Sequence, residues 1–447
     1  MSNAADTKPA AAIIGAGYAG MAAAVKLTEA GVRAVVFEAG QTLGGRARRI
    51  DYRGETLDNG QHILAGAYTD LLRLMRLVGV PDSAFRRVPL RLSMPPEFLL
   101  AAPRAAALPR TLYLAWTLMS AKGLSIVDKF AAVRFMRALK RTEFRVDPSE
   151  SVAQLLSKHK QPQNLIDYLW QPLTISALNT PLARASAQVF ANVLRDSLGS
   201  TREASDLLLP CTDLTALFPE PAAAWIAQRG SEVRVGDRVK QVVAEDGRYL
   251  VTSRTGVQQF DGVIFAVGPH QLEGLMPHIP VPALTFEPIV TVYFKFDRPI
   301  RMGEPMSGKI HGIAQWFFDR RLLNDCAAPS HNGDGGLFAA VISASGPHER
   351  LSQEDLADAV LIELAKRIPD LPKPIWHKVV TEKFATFACT STADRPVTTT
   401  RYPGVFRAGD YVAGDYPATL EGAVRNGLSA AKALGVYLAI RNEESDG

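Results

Sequence analysis

The stretch AAAIIGAGYAG, residues 10–20, decides the fold of this 447-residue chain. Its first five residues are small and apolar, as expected of a buried parallel strand. Gly15 allows a tight turn after that strand, and Gly20 allows close packing of a following helix on the strand. Gly17, beside Ala16, lets the backbone approach a pyrophosphate. The pattern predicts a nucleotide-binding turn that involves all four of these residues.

The residues that follow complete a strand, turn, helix and strand unit. A helical stretch runs to Ala30 and is stopped by Gly31, and the apolar run RAVVFE ends at Glu38. Units of this kind place a pyrophosphate at the helix N-terminus, where free N–H groups and the helix dipole favour anions. The acid at the end of the second strand accepts ribose hydroxyls. We therefore expect Glu38 to contact the ribose of a dinucleotide.

A second glycine turn, LGGRA, covers residues 43–47. With the first unit it resembles the flavin-containing amine oxidase and phytoene desaturase superfamily, in which paired glycines and an arginine lie along FAD. Gly44, Gly45 and Arg46 match that motif residue by residue. The resemblance implies FAD as the cofactor, whereas an ordinary surface turn is the alternative reading of these residues.

The segment near the C-terminus extends this resemblance. GVFRAGDYV, residues 404–412, reads as a strand, and PATLEGAVRNGLSAAKAL, residues 417–434, reads as a helix. In the superfamily the Gly-Asp pair holds the ribityl and pyrophosphate region, and the helix N-terminus faces the flavin ring. Val239 matches the position whose backbone meets adenine, although a plain strand valine would look the same. The positions assigned to the cofactor here are Gly409, Asp410, Thr419, Leu420 and Glu421.

The order of these signals predicts an α/β fold with two interwoven domains. A Rossmann-type FAD-binding domain is expected over 9–70, 206–279 and 382–440. An α+β substrate-binding domain, with a helical part that faces a membrane, is expected over 71–205 and 280–381.

The stretch LDNGQHILAGAY, residues 57–68, narrows the family further. It resembles the hydroxysqualene dehydroxylases, squalene-associated flavoenzymes of bacterial hopanoid synthesis. The same likeness extends over WQPLTISALNTPLARASAQVF (170–190), DLLLPCTDLTALFPEP (206–221) and YPATLEGAVRNG (416–427). The resemblance implies that hydroxysqualene and reduced FAD give squalene, water and oxidised FAD. Such a reaction needs an acid for the leaving hydroxyl and an apolar pocket.

The candidate acid is His62, because histidine titrates near neutral pH and Asp58 could hold or charge it. A hydrogen-bonded histidine that only shapes the loop is the alternative. Gln61 is a further candidate at the reacting centre, and Asn59 and Gly60 are expected at the flavin edge. Arg195 and Asp196 could also face the cavity, although a solvated ion pair is their simpler reading.

Three other functions remain open from the sequence. A carotenoid-type desaturase would oxidise a similar polyprene on the same fold. An amine oxidase should carry a flavin-facing lysine where this chain has Thr291, within PIVTVYFKF. A non-catalytic protein that only binds FAD is the third.

Composition limits the partners and the location. Fifty Lys and Arg against 45 Asp and Glu give a net charge of +5, too mild to indicate nucleic acid but compatible with anionic lipid. Cys211, Cys326 and Cys389 lack the spacing of metal ligands, so no metal is expected. DKFAAVRFMRALKRTEFRV, residues 128–146, could lie on a membrane through Phe130, Val133, Met136 and Leu139, or could pack in the core. We expect a cytoplasmic protein, peripheral on the inner face of the cell membrane, that takes electrons from a donor.

Overall fold

The first strand, turn and helix form where the sequence predicts them, because small side chains allow the backbone to pack closely there. In the computed structural model, which describes residues 8–103, 110–198, 201–276, 279–324 and 335–445, the N–H of Gly15 donates to the carbonyl of Phe37 at 2.8 Å. Gly31 has a φ of +82°, which ends the first helix in the left-handed region that glycine favours. Cys326 lies outside the described residues.

The strands are short and come from the whole length of the chain. In chain order they are β1 (Ala10–Ile14), β2 (Arg33–Phe37), β3 (Arg49–Tyr52), β4 (Glu55–Asp58), β5 (Leu64–Ala65), β6 (Phe85–Val88), β7 (Arg91–Met94), β8 (Phe98–Ala101), β9 (Leu207–Pro210), β10 (Glu232–Arg234), β11 (Val239–Glu245), β12 (Arg248–Ser253), β13 (Val257–Phe260), β14 (Gly262–Phe265), β15 (Phe286–Lys295), β16 (Met306–Gly308), β17 (Trp316–Asp319), β18 (Leu337–Ser343), β19 (Trp376–Phe387) and β20 (Val405–Arg407).

Helices separate these strands and dominate the first half of the chain after the nucleotide-binding unit. They are α1 (Tyr18–Glu29), α2 (Thr69–Leu77), α3 (Arg110–Met119), α4 (Ile126–Arg141), α5 (Val152–Lys158), α6 (Gln163–Leu165), α7 (Gln171–Leu178), α8 (Ala187–Leu198), α9 (Leu214–Leu217), α10 (Pro219–Ala227), α11 (Arg320–Asn324), α12 (Gln353–Ala365) and α13 (Leu420–Ser445).

A five-stranded parallel sheet collects segments from both ends and the middle of the chain. Its order is β10-β2-β1-β14-β20. The first strand pairs with β2 on one side and with β14 on the other, and β20 pairs with β14. The strand predicted within residues 404–412 is therefore β20, and the predicted α/β fold class is confirmed.

A second five-stranded sheet, in the order β16-β17-β18-β15-β19, is antiparallel, and its strand β15 contains the segment PIVTVYFK with Thr291. All five of its strands lie in sequence between β14 and β20, so this sheet is inserted between two strands of the parallel sheet. The numerical boundaries of the two domains stay a prediction.

The two ends of the chain meet where α13 packs on α1. A Cβ added to Gly427 of α13 would overlap the carbonyl oxygen of Ala19, so the two backbones are in contact at that point. Ala22, Ala23 and Leu434 are fully buried in the core cluster that this pair shares with the parallel sheet. Close packing of small residues thus fixes the C-terminal helix beside the nucleotide-binding turn.

The helix predicted over 128–146 is α4, but its apolar face differs from the prediction. Of the four residues assigned to that face, only Phe130 is exposed, at 61%, whereas Leu139 is buried at 1%. Ala131 and Phe135 lie on the buried side with Leu139. The assigned face therefore packs inward through Leu139 and is exposed at Phe130, so core packing, the second reading of this helix, applies to part of that face. No helix among the described residues is long and apolar enough to span a membrane.

Candidate functional site

One cavity of about 1130 Å³ lies between the parallel sheet, the antiparallel sheet and the start of α13. Its wall includes most of the residues that the sequence assigns to a cofactor and to a reacting group. The predicted residues that line it are Gly15, Gly17, Glu38, Gly44, Gly45, Arg46, Asn59, Gly60, Gln61, His62, Val239, Gly409, Asp410, Thr419 and Leu420. The folded chain thus brings together pieces more than 350 residues apart.

The glycines of the first turn serve different purposes. A Cβ on Gly15 would lie 2.7 Å from the carbonyl oxygen of Ala266, and a Cβ on Gly20 would overlap the carbonyl oxygen of Gly15. A Cβ on Gly17 would have no neighbour closer than 3.9 Å, because Gly17 faces the cavity. Gly15 and Gly20 therefore serve packing, whereas Gly17 leaves room for a ligand.

The N-terminus of α1 opens onto this space. Gly17 is its N-cap and offers no side chain to the first N–H groups of the helix. Those groups and the helix dipole attract anions such as a pyrophosphate. Glu38 accepts the N–H of Ala16 at 2.9 Å and the N–H of Gly40 at 2.8 Å, so it braces the turn while it lines the cavity. Its contact with a ribose stays a prediction.

The second glycine turn joins the first turn to the closing segment. Gly44 has a φ of +112°, and its N–H donates to the carbonyl of Ala16 at 2.9 Å. Arg46 donates to the carboxylate of Asp410 at 2.5 Å and to the carbonyl of Ala385 at 2.7 Å. The side chain of Arg46 thus contacts two other chain segments and holds the cavity wall together at the predicted cofactor site.

Two residues predicted at the cofactor site near the start of α13, Thr419 and Glu421, have different surroundings. Thr419 caps the helix, since its hydroxyl accepts the N–H of Gly422 at 3.1 Å, and Thr419 lines the cavity. The carboxylate of Glu421 points elsewhere: it accepts the N–H groups of Asp70 and Leu71 at 3.0 and 2.9 Å and is fully buried. Its side chain therefore anchors α2 and does not line the cavity, contrary to its assignment to the cofactor.

His62 lies on the cavity wall with its ring orientation fixed. Its Nδ1 is 2.7 Å from the carbonyl oxygen of Gly60, so in the neutral ring Nδ1 donates and Nε2 is left as an acceptor. Burial lowers the pKa of His62, the hydrogen bond with Gly60 and the charge of Asp58 raise it, and Arg46 lowers it. The net shift is downward, which favours the neutral imidazole.

Asp58 does not hold His62 through a hydrogen bond. Its carboxylate accepts the N–H of Leu214 at 2.9 Å and faces Arg320 at 3.2 Å. It is 3% exposed and is not part of the cavity wall. Burial raises the pKa of Asp58, and Arg320 opposes that rise. Asp58 therefore acts on His62 only through its charge.

The other members of this segment bind the surrounding chain. Asn59 donates through Nδ2 to the carbonyl of Arg46 at 3.1 Å and to the carboxylate of Glu382 at 3.0 Å. Gln61 accepts from Arg320 at 2.8 Å and donates to the carbonyl of His62 at 3.2 Å. Arg320 was missed in the sequence because nothing local distinguishes it from its neighbour Arg321.

The wall beyond His62 is largely apolar and comes from the antiparallel sheet and α7. Its side chains include Phe286, Ile289, Trp316, Phe318 and Val341. The indole of Trp316 donates to the hydroxyl of Ser176 at 2.9 Å, which satisfies its one polar atom. This part of the cavity suits a hydrocarbon.

The SALNTP motif fixes α7 against that sheet. Asn179 adopts the left-handed region with a φ of +47°, and its amide donates to the hydroxyl of Thr386 at 2.9 Å. Its side-chain oxygen accepts the N–H of Ala344 at 2.7 Å. The motif thus supports the apolar wall, and Asn179 itself is nearly fully buried.

Arg195 and Asp196 lie outside the cavity wall. They pair at 2.7 Å, and Asp196 accepts the hydroxyl of Tyr416 at 2.6 Å. They therefore brace the chain just before α13.

Among the described residues, no cluster of three histidine, cysteine or acidic side chains could hold a metal ion.

Comparison with known proteins defines the class. The profile of the family described as flavin containing amine oxidoreductase matches residues 18–435. The chain therefore belongs to this family and is a flavin-dependent oxidoreductase, as its motifs predicted.

Particular relatives refine the comparison. Hydroxysqualene dehydroxylase from Rhodopseudomonas palustris is 29% identical over 94% of this chain and 96% of its own. Zeta-carotene desaturase from Synechocystis is 24% identical over 95% of this chain and 96% of its own. The solved structure of an oxidoreductase from Methanosarcina mazei covers 95% of this chain and 100% of its own, with a TM-score of 0.72 at 15% identity. The last likeness supports the fold.

Proposed function

We propose that the protein holds FAD and reductively removes the hydroxyl group of hydroxysqualene, giving squalene and water. The observation that carries this proposal is the shared cavity: His62 and an apolar wall line the same space as the two glycine turns. The match to a hydroxysqualene dehydroxylase over nearly the whole chain supports the substrate. Product analysis after one anaerobic turnover tests the proposal.

The cavity wall suits a dinucleotide better than a mononucleotide. It runs from Val239 and Glu38, past the uncapped N-terminus of α1, to Arg46 and Thr419. Val239 and Glu38 would hold the adenosine end, and Gly17 and the start of α1 would hold the pyrophosphate. These residues fit FAD, and denaturation of the purified protein should release FAD and not FMN.

The reaction balances with one proton and one hydride. Reduced flavin, when bound, supplies the hydride and is oxidised by two electrons. A proton turns the hydroxyl into water, the C–O bond breaks with its electron pair on oxygen, and a C–H bond replaces it. Cleavage of the C–O bond leaves a carbocation on the substrate. The apolar wall excludes bulk water, which would otherwise react with that carbocation. An electron donor must reduce the flavin again before the next turnover.

His62 is the candidate source of the proton. Because Nδ1 is engaged with the carbonyl of Gly60, Nε2 is the atom left to carry the transferable proton. Burial lowers the pKa of His62, so its imidazolium is a stronger acid than free histidine but is less populated at neutral pH. A general acid of this kind contributes about 10²- to 10⁴-fold in rate.

A carotenoid-type desaturase is the second candidate, supported by the 24% identical Synechocystis relative. That reaction runs in the oxidative direction and needs no leaving-group acid, so the two candidates differ in which flavin redox state reacts. An amine oxidase is disfavoured by Thr291. It stands where the lysine is expected, is 1% exposed, and accepts the N–H of Gln61 at 3.4 Å.

We also propose that the enzyme works at the inner surface of the cytoplasmic membrane, where a squalene-like substrate resides. The exposed apolar side chains of the α3–α4 tip are Trp116, Met119, Ile126, Val127 and Phe130. Four of them are 54–68% exposed. Lys129 donates to the carbonyl of Met119 at 2.8 Å and joins the two helices. The exposed cations Arg134, Arg137 and Lys140 follow on α4, so this tip suits an anionic lipid surface.

Substitution of Val127 and Phe130 by Asp should abolish sedimentation with anionic vesicles and leave the flavin bound. Each large apolar side chain contributes about 1.5–3 kcal/mol on burial, so the loss should exceed about 100-fold in partitioning. Reversal of Arg134, Arg137 and Lys140 to Glu should weaken binding in a salt-dependent way, since exposed charges are screened within about 8 Å at physiological ionic strength.

The matched control replaces Val257 and Ile362 by Asp, because these residues are 63% and 60% exposed on other elements. Vesicle binding should be unchanged in that variant. Equal losses in both double variants, or unchanged binding in the first, would contradict a membrane role for the α3–α4 tip.

A further inference from the structure

Arg320 is a buried cation behind the cavity wall that the reaction described above does not use. It follows β17, whose residues Trp316 and Phe318 face the cavity, and it is itself only 5% exposed. Burial of a guanidinium is costly unless partners compensate it, so the structure retains this residue through specific contacts. These contacts are with Asp58 and Gln61, in the segment of residues 58–62 that ends in His62.

A single nitrogen of Arg320 reaches two residues of that segment. Nη1 donates to the carboxylate of Asp58 at 3.2 Å and to the side-chain oxygen of Gln61 at 2.8 Å. Asp58 is fixed in turn, because its other oxygen accepts the N–H of Leu214 and its carbonyl accepts the hydroxyl of Tyr293 at 2.9 Å. The guanidinium therefore ties the end of β4 and the start of the following turn to the antiparallel sheet.

The contact with Gln61 decides which way its amide points. Since Oε1 accepts from Arg320, Nε2 is the group that donates to the carbonyl of His62 at 3.2 Å. Gln61 thus holds the main chain of His62, whereas the carbonyl of Gly60 holds the ring through Nδ1 at 2.7 Å. Arg320 thus acts on His62 through one intermediate side chain and touches neither the cavity nor the ring.

We propose that Arg320 is a positioning residue: held by Asp58, it orients the amide of Gln61 and thereby keeps Nε2 of His62 turned toward the cavity. The inference rests on the proposed function, in which His62 delivers the proton. The charges that act on the pKa of His62 are those of Asp58 and Arg46, and Arg320 reaches it through Gln61.

The test compares removal of the charge pair Arg320 and Asp58 with removal of the Gln61 amide, which links that pair to His62. Arg320→Met with Asp58→Asn deletes both charges without leaving a buried ion unpaired, and Gln61→Met breaks the link alone. Each should slow single-turnover hydride transfer about 10- to 100-fold at unchanged flavin content, because small misplacements of a reacting group have effects of that size. The variant that combines all three substitutions should be no slower than Gln61→Met alone, because each change removes the same link from Arg320 through Gln61 to His62.

A second readout does not depend on turnover. In holoenzyme labelled with ¹⁵N-histidine, the shifts of His62 should report one tautomer, protonated on Nδ1. Both variants should move these shifts toward an average of the two tautomers. In Asp58→Asn, which keeps Arg320, the midpoint of the His62 titration should fall, because the carboxylate that favours the imidazolium is gone.

The control is the pair Arg184 and Glu287, a guanidinium on a carboxylate that is 2% exposed and outside the cavity wall. Arg184→Met with Glu287→Gln should leave both readouts at the parent values. Additive losses in rate, or unchanged His62 shifts in the Arg320 and Gln61 variants, would overturn the positioning role. If the parent enzyme does not turn over hydroxysqualene, the proposed function fails, and the His62 spectra alone decide the role of Arg320.

Discussion

Gly17→Leu is expected to give a folded protein that has lost its flavin. A Cβ at this position meets nothing closer than 3.9 Å in the protein, so the larger side chain extends into the cavity at the N-terminus of α1. It would occupy the place of the pyrophosphate and displace hydrogen bonds to a charged group, each worth about 1.5–3 kcal/mol. Flavin affinity should fall by at least about 100-fold.

Gly20→Leu is the contrasting variant. A side chain there overlaps the carbonyl of Gly15, so this change should impair folding itself. Flavin absorbance after gel filtration, together with the thermal unfolding midpoint, separates the two outcomes. Full flavin occupancy in folded Gly17→Leu would show that the cofactor lies elsewhere.

His62→Gln is expected to keep flavin and fold but to lose about 10²- to 10⁴-fold in the rate of hydride transfer. Glutamine preserves a polar group at the cavity wall and cannot deliver a proton as imidazolium does. The loss should appear in single-turnover rates and leave substrate affinity nearly unchanged. His270→Gln is the control, because His270 also lines the cavity and its pKa is also lowered by burial.

The pH dependence follows from the lowered pKa of His62. The imidazolium is the active form, so hydride transfer should quicken as pH falls through neutrality toward that pKa and level off below it. His62→Gln should abolish this dependence. If His62→Gln transfers hydride at the parent rate, or keeps the pH dependence of the parent enzyme, His62 only orders its loop.

The nucleotide-binding part could be predicted because its signals are local. Gly15 and Gly44 have a positive φ and lie against backbone atoms, and Gly17 leaves the cavity wall open at the start of α1. Such requirements are encoded within a few residues of sequence.

The electrostatics of the site could not be read in the same way. Asp58 and Arg320 are 262 residues apart, and no local pattern pairs them. Glu421 sits in the first turn of a helix that starts at the cavity, yet its carboxylate reaches back to α2, more than 350 residues earlier. Long-range partners of this kind are set by tertiary packing.

The sequence left the orientation of α4 open for a different reason. Its sequence contains apolar residues on more than one side, and periodicity alone does not say which side meets the core. Packing buried Phe135 and Leu139 and left Phe130 exposed beside Val127. Only the structure separates the inward face from the outward one.

The central claim is reductive removal of a hydroxyl group, and one anaerobic turnover tests it most directly. The purified holoenzyme is reduced by light under anaerobic conditions and mixed with hydroxysqualene, and flavin absorbance and product are followed together. We expect that flavin is reoxidised with one equivalent of squalene formed, and that the oxidised enzyme leaves the substrate unchanged. A reaction of the oxidised enzyme alone, with a new double bond in a polyprene, would contradict it.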